Sequence, residues 1–359
     1  MKSRITLADI GALAGVSSST ASMILSGREG VSFSEETIYR VRAAAAELGY
    51  SPSGGKRRPS GAFDRKTILI VCPNVLNPYY ATLVQAIEQA ARDTGYATLV
   101  YTTYRDEDNE RRCLESAARN GLKGVIFTMM PQAVAEVERL DKTVPVVVIG
   151  DRNAGLGVDT VELDNYNAGT LVARHMISLG HRHIAYISTP LDAANSARLR
   201  RLEGVRDAYR RECPDGSVLV RSRDVSPDME LHTIPVEHDV GFELTKACLA
   251  GKRALTAFVA VNDMVAYGVL DAVRSAGFRV PEDYSVCGFD NIFPSAFPGI
   301  SLTTVEHYIV DKGRNAFEIL YGKISGTASD RNIVRVEFKH RLIVRNSTAA
   351  PRAVDVVRS

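Results

Sequence analysis

The chain predicts an α/β architecture: an all-α head over residues 1–50, a linker over 51–66, a two-lobed body of doubly wound parallel sheets over 67–350, and a tail over 351–359. Three observations carry this. The first fifty residues hold short helical stripes bounded by capping residues. A stretch dense in glycine, proline and basic residues follows. From Thr67 onward, short apolar runs alternate with amphipathic helices, the pattern of parallel sheets covered on both faces.

In the head, Thr6 can cap a helix over Leu7–Ala14, with Asp9 near its positive end and Leu7, Ile10 and Leu13/Ala14 on one face. Gly15-Val16 breaks it. Ser17 can cap a second helix from Ser18 to Leu25, in which Ala21, Ile24 and Leu25 share a face. Ser34 caps a third, striped by Ile38, Val41, Ala45 and Leu48 and closed by Gly49. Two short helices joined by a tight glycine turn and braced by a third read as a helix-turn-helix, with a generic three-helix bundle as the alternative. In the former the second helix enters the major groove by its N-terminal end, which puts Ser18, Ser19 and Ser22 near bases or phosphates. Charge agrees: residues 1–66 hold ten Lys/Arg against six Asp/Glu, a net of +4, while the other residues carry 34 against 36. A basic head on a neutral body suits a head that meets a polyanion.

The linker, Ser51 to Lys66, is a poor helix because Gly54, Gly55 and Pro59 each oppose one. It reads as an extended basic hinge in which Lys56, Arg57 and Arg58 either meet phosphates or are simply solvated.

In the body the strand runs are Ile68–Cys72, Thr98–Tyr101, Gly124–Phe127, Val144–Ile149, Ile184–Ile187, Ala257–Ala260 and Tyr284–Cys287. Helices read over Tyr80–Arg92, Glu110–Arg119, Ala133–Leu140, Ala168–Leu179, Arg198–Arg210, Val240–Leu249 and Met264–Ser275. These are too many strands for one sheet, so two similar lobes are expected. Ligands of such sheets bind beyond the carboxyl ends of the strands. Those ends deliver Asn77-Pro78-Tyr79-Tyr80, Gly150-Asp151-Arg152, the arginines Arg198, Arg200 and Arg201, Asn262-Asp263, and Asp290-Asn291. Aromatic rings beside amides, carboxylates and guanidinium groups suit a polyhydroxylated ligand. Each group has a second reading: Asp263 as a helix cap, Tyr79 and Tyr80 as core, one of the arginines as solvated.

The 359 residues carry 44 Lys+Arg, 42 Asp+Glu and 45% hydrophobic residues, an ordinary globular balance. The five cysteines are odd in number and scattered, against both a disulfide scaffold and a zinc knuckle. No signal peptide is legible, and the longest apolar run, Val144–Ile149, is far short of a membrane span. Nucleotide-loop, metalloprotease and nucleophile-elbow motifs are not found. A DNA-binding regulator is thus favoured over a transport-type sugar-binding protein or a cytosolic α/β enzyme.

Longer stretches sharpen this. Thr6-Leu7-Ala8-Asp9-Ile10, Leu13-Ala14-Gly15-Val16-Ser17-Ser18-Ser19-Thr20-Ala21-Ser22 and Glu47-Leu48-Gly49-Tyr50-Ser51-Pro52 resemble the DNA-binding head of the lactose-repressor/galactose-repressor (LacI/GalR) family. Leu179-Gly180-His181-Arg182-His183-Ile184, Arg201-Leu202-Glu203-Gly204, Val261-Asn262-Asp263, Gly288-Phe289-Asp290-Asn291 and Leu302-Thr303-Thr304-Val305 resemble its effector domain and the related periplasmic sugar-binding proteins. The resemblance implies a cytoplasmic transcription regulator, a repressor, acting as a homodimer on a pseudo-palindromic double-stranded operator. A small sugar-like effector between the lobes would control it, with no cofactor, metal, membrane or catalysis. On the DNA side it implies Thr6, Ser17, Ser18, Ser19, Thr20, Ser22 and Met23; Arg57 and Arg58 of the hinge join them on the charge of the linker alone. On the effector side it implies Tyr79, Tyr80, Arg201, Asn262 and Asp290, with Asn77, Asp151, Arg152 and Glu306 beside them; His181 and His183 read as structural. Three departures stand out. Met23 replaces a common arginine and cannot make a bidentate guanine contact. The hinge has no leucine to wedge into the minor groove, and the loop from Gly27 to Phe33 is about two residues longer than in relatives.

Overall fold

The computed structural model describes residues 5–26, 33–48, 50, 66–151, 155–192, 195–251, 254–329 and 332–352. The chain divides into two compact units, Met1–Ala62 and Phe63–Ser359. The hinge residues Arg57 and Arg58, the loop residues 27–32, Gly49 and Arg152 lie outside the described residues.

The head forms α1 (Leu7–Ala14), α2 (Ser18–Ser26) and α3 (Glu35–Glu47). Thr6 and Asp9 close a reciprocal capping box, the Thr6 backbone N–H donating to Asp9 Oδ2 at 2.7 Å. Gly15 ends α1 with φ of 67°, a conformation that costs a side-chain-bearing residue but not glycine. The chain then turns through 101° into α2, within the range of a helix-turn-helix. Ser17 Oγ accepts from the Thr20 N–H at 3.1 Å, the cap the sequence anticipates. Ile10, Ala14, Ala21, Ile24, Val41, Ala44 and Ala45 make the small core.

Lobe 1 begins with β1 (Thr67–Cys72), α4 (Pro78–Asp93), β2 (Ala97–Thr102), α5 (Glu107–Arg119), β3 (Val125–Phe127), α6 (Val134–Asp141), β4 (Val146–Asp151) and β5 (Asp159–Leu163). Lobe 2 follows with α7 (Asn165–Leu179), β6 (His183–Ser188), α8 (Ser196–Glu212), β7 (Ser217–Ser222), α9 (Pro227–His232), α10 (Val236–Leu249), β8 (Ala257–Ala260), α11 (Asp263–Ser275), β9 (Ser285–Asp290) and β10 (Thr303–Glu306). The chain then returns to lobe 1 for α12 (Ile309–Ser325) and β11 (Arg335–Phe338), and crosses back for β12 (Arg341–Ile343). The two six-stranded sheets run β11-β5-β4-β3-β1-β2 and β12-β10-β9-β8-β6-β7. Every pair is parallel except β10 with β12.

The central strands are buried on both faces, which explains their continuous apolar sequence. Helix α12 covers one face of the lobe 1 sheet, with Ala316, Phe317 and Leu320 packed among Ile68, Ile70, Ile126 and Val147. Helix α7 lies so close to α8 that a Cβ on Gly169 would overlap the Arg201 carbonyl oxygen, and one on Gly204 the Tyr166 carbonyl oxygen. This close approach fixes the Arg201 turn of α8 against α7. The sequence reading misses β5, β7, α9, β10, α12, β11 and β12 and sets several helix starts late; α4, for instance, begins at Pro78 rather than Tyr80. All five cysteines are buried free thiols.

Candidate functional site

On the head, Thr6, Ser17, Ser18 and Ser19 are exposed, and Thr20, Ser22 and Met23 are half-buried. The hydroxyls are ordered before any partner arrives: Ser17 Oγ lies 2.8 Å from Ser19 Oγ and 2.9 Å from Thr20 Oγ1. Short hydroxyl side chains at the positive end of a helix form a surface suited to phosphate oxygens and base edges.

In the body, the strand ends of both lobes line one cleft of about 740 Å³. Asn77 N-caps α4 by accepting from the Tyr79 N–H at 2.9 Å, with Pro78 preorganising the first turn. That turn sets Tyr79 and Tyr80 edge to face, with ring centres 5.1 Å apart. The alternative of cleft or core resolves for Tyr79 into both: its ring lines the cleft, yet it is buried and its hydroxyl accepts from Lys312 Nζ at 2.7 Å.

Arg201 is held rigidly. Its Nε donates to Asn165 Oδ1 at 2.8 Å, its Nη1 to the Val261 carbonyl at 2.6 Å, and the guanidinium lies over Phe289. Its Nη2 stands 3.5 Å from Asp290 Oδ1. Asp290 ends β9 with φ of 113°, backbone strain of the kind that collects at binding sites. Burial pushes its carboxyl up, while Arg201 and Lys312 beside it pull down. Burial drives Lys312 down to about 7. Asp151 accepts from Asn165 Nδ2 at 2.9 Å, and burial raises its carboxyl too.

Asn262 caps α11 and donates to Glu237 Oε1 at 2.9 Å; Asn77 Nδ2 donates to Glu237 Oε2 at 2.7 Å. Glu237, from lobe 2, therefore ties the lobes together through Asn77, and Asn74 does the same by donating to Glu230 Oε1 at 2.7 Å.

Two readings are corrected. Asp263 is no cap: it is fully buried and accepts from Ser295, Thr304 and the Ile292 N–H. Glu306 is not among the cleft-lining residues; instead it accepts from Asn291 Nδ2 at 2.6 Å and from the Tyr308 N–H at 2.7 Å, bracing a crossover between lobes. Arg200 is the solvated arginine, half exposed and paired with Glu203. His181 is structural, bridging Thr256, Ser285 and the Ala349 carbonyl. Sequence reasoning missed Arg105, Asn165 and Glu237, all of which line the cleft. Arg105 follows the carboxyl end of β2, an edge strand whose end, like that of β3, yields no candidate in the sequence.

Beneath the cleft, two crossovers bring His307 and His340 together, ring centres 5.0 Å apart. None of their four ring nitrogens has a hydrogen-bond partner, although His307 Nδ1 lies 3.2 Å from Asp290 Oδ1. Burial, with Lys312 and Arg201 nearby, pushes His340 down to about 4. Among the described residues, no group of three His, Cys, Asp or Glu is arranged to hold a metal ion. No single described helix is long and apolar enough to cross a membrane.

A helix-turn-helix head joined to a two-lobed, cleft-bearing α/β body defines a ligand-responsive DNA-binding regulator. Residues 6–53 match the model of bacterial regulatory proteins of the lacI family, and residues 65–345 match that of periplasmic binding proteins and the sugar-binding domain of the LacI family. The chain belongs to the LacI family of transcription regulators. It is 31% identical to the ribose operon repressor of Escherichia coli K12 over 89% of this chain and 93% of that one. It is 27% identical to the HTH-type transcriptional repressor PurR of Mannheimia succiniciproducens, over 95% and 98%. Among solved structures, the periplasmic binding protein/LacI transcriptional regulator of Alkaliphilus metalliredigens, complexed with D-xylulofuranose, superposes with a TM-score of 0.64 at 26% identity, covering 79% of this chain and all but 1% of that one (99%).

Proposed function

We propose that this regulator is a repressor that binds its operator as a homodimer and is controlled by a small sugar-like effector held in the interlobe cleft. The observation that carries the reading is the convergence of Tyr79 and Tyr80 from lobe 1 with Arg201, Asn262 and Asp290 from lobe 2 on one cleft. Aromatic rings offer C–H faces a surface, while carboxylate, amide and guanidinium bond ring hydroxyls. The relatives named for ribose and complexed with a ketopentose favour a ligand of that size. Asp151 and Arg152 extend the site, and Asn77 works as cap and lobe tie. Thr6, Ser17, Ser18, Ser19, Thr20, Ser22 and Met23 face the operator, with Arg57 and Arg58 of the hinge on phosphates.

The mechanism follows from the ties across the cleft. A ligand that bonds Asp290 and Arg201 on one wall and Tyr80 on the other competes with or reinforces the Asn77–Glu237 and Asn74–Glu230 bridges, and so shifts the balance of lobe arrangements. Operator affinity changes only by the difference in ligand affinity between those arrangements, typically about 1–3 kcal/mol. The bound sugar is released unchanged, for the protein is a switch and not an enzyme, and it acts on DNA in the cytoplasm. The test pairs a titration-calorimetry screen of pentoses, hexoses and their derivatives with operator binding of the full chain. A ligand that binds and shifts operator affinity supports the reading. Chemical turnover of that ligand, or operator binding indifferent to every ligand that binds, refutes it.

A further inference from the structure

The donors and acceptors of the cleft are unevenly spent. Asp290, at the inner end, accepts no hydrogen bond from any described residue; its contacts are the 3.5 Å approach of Arg201 and the 3.2 Å approach of His307. A ligand hydroxyl fits there. At the outer end the imbalance is reversed. Arg198, in the first turn of α8, has a side chain only 12% exposed, yet it donates no hydrogen bond to any described residue. Its one ion pair among the described residues is a 3.6 Å approach to Glu237 Oε1, and both oxygens of Glu237 are already engaged by Asn77 and Asn262.

Arg105 faces it from lobe 1. Its φ of 56°, following 52° at Tyr104, bends the chain after β2 so that the guanidinium lines the cleft. Nη2 donates to the Tyr80 hydroxyl at 2.9 Å and Nε lies 3.5 Å from Glu230 Oε2, but Nη1 meets only the Met129 sulfur at 4.0 Å. Glu230, like Glu237, is engaged by an asparagine, here Asn74. Burial disfavours the charge of Arg198, and the guanidinium of Arg105 adds to that cost. Both also line a second space of about 1030 Å³ that adjoins the cleft. A guanidinium presents five N–H donors in a fixed fork that matches the geometry of carboxylate and phosphate oxygens. Two such forks from opposite lobes, both under-used, describe a receptor for an oxyanion.

We propose that the effector is a sugar or polyol bearing a carboxylate or phosphate, with its hydroxyls on Asp290 and Arg201 and its anionic group gripped between Arg105 of lobe 1 and Arg198 of lobe 2. This rests on the reading of the cleft as the effector site. An anion there relieves the repulsion between the two guanidinium groups and adds charged hydrogen bonds to both lobes, so it favours their closure. A neutral sugar leaves the outer donors unmatched.

The test uses the full chain and its Arg198→Gln and Arg105→Gln variants. Inorganic phosphate, added at constant ionic strength, should raise the unfolding midpoint of the parent protein by more than that of either variant. In calorimetry, at least one of D-gluconate, D-glucuronate and D-glucose 6-phosphate should bind about tenfold or more tightly than D-glucose, and Arg198→Gln should erase that ratio. The leading acid distinguishes the sources: gluconate or glucuronate assigns a carboxylate, glucose 6-phosphate a phosphate. Equal phosphate stabilisation of parent and variants overturns the proposal, as does D-glucose binding as tightly as every acid. If neutral sugars release operator while the acids do not, this proposal falls and the functional reading stands. If no ligand that binds, acid or neutral, moves operator binding, both fall.

Discussion

Replacing His340 by Phe should abolish part of the protein's sensitivity to acid. His340 lies on the last crossover between lobes, against His307, and both of its ring nitrogens are buried without a hydrogen-bond partner. Burial is the first cause of its depressed pKa, and the charges of Lys312 and Arg201 add to it, while Asp164 pulls the other way. Its folded value of about 4 lies below the ordinary 6.5. Between those values the unfolded chain binds a proton that the folded chain refuses, so stability falls as the pH drops through 6.5 toward 4. Going from pH 7 to pH 5 then costs about 2 kcal/mol from this ring alone. For a body of this size that is a Tm decrease of about 4 °C. His307, pushed well below its usual value by burial and by Arg201, His340 and Lys312, acts in the same direction. Phe keeps the ring and cannot take the proton. Thermal unfolding at pH 7 and pH 5 should therefore show a smaller decrease for His340→Phe than for the parent, by about those 4 °C. At pH 7 the variant should be at least as stable, because two unsatisfied buried nitrogens are gone. Parallel pH profiles for the two proteins would refute the reasoning, as would an imidazole resonance of His340 titrating at the ordinary value.

Asp290→Asn should weaken effector binding ten- to a hundred-fold, the worth of about 1.5–3 kcal/mol for a charged hydrogen bond, with operator affinity in the absence of effector retained; calorimetry and operator titration check the two halves. Gly204→Ala should push α8 from α7, since its Cβ overlaps the Tyr166 carbonyl oxygen, at a cost of about 1–3 kcal/mol; denaturant midpoints measure the cost, and a concomitant loss of effector affinity would register the displacement of Arg201. Replacing Arg57 and Arg58 together by Ala should flatten the salt dependence of operator binding by about two units of slope; an unchanged slope would remove the hinge from the phosphates. Glu237→Gln should loosen the tie between lobes, because Asn77 and Asn262 lose a charged acceptor; faster amide exchange at both asparagines would report it.

How much of this was legible in the sequence depended on whether a local signal existed. The capping serines and threonine of the head, Asn77 before Pro78, and the fully apolar central strands all announce themselves, because caps and buried strands demand particular residue types within a few positions. The strand β5, Asp159–Leu163, does not: its sequence Asp-Thr-Val-Glu-Leu carries two acids whose partners are remote, Arg335 with Glu162 and Lys323 with Asp159. Helix α12 hides for a related reason. It belongs to a lobe whose other strands lie far upstream, and its buried Lys312 makes sense only beside Tyr79 and Asp290. In the cleft, Asn77, Asp151, Asn262 and Asp290 follow obvious strands and are found by rule. Glu237 was not, because a glutamate in the first turn of a helix ordinarily faces water. Only the fold shows that this turn points at Asn77 and Asn262.

The late return of the chain to lobe 1 has a consequence for how the protein is made. The helix that covers Ile68, Ile70 and Val147, and the strand β11 that pairs with β5, are both read out after the core strands of lobe 2. A nascent chain that has emerged as far as Ser301 holds every inner strand of lobe 1 but leaves one face bare and the edge of β5 unpaired. Such edges and faces invite aggregation. Lobe 1 closes only at Phe338 and lobe 2 only at Ile343, so the first lobe begun is finished almost together with the second. Neither half can be excised at the Leu163–Asn165 crossover as a folding unit. Vectorial synthesis meets here a body that must acquire its native order as one cooperative event near the end of translation, whereas the head, whose core closes within residues 10–45, is ready long before.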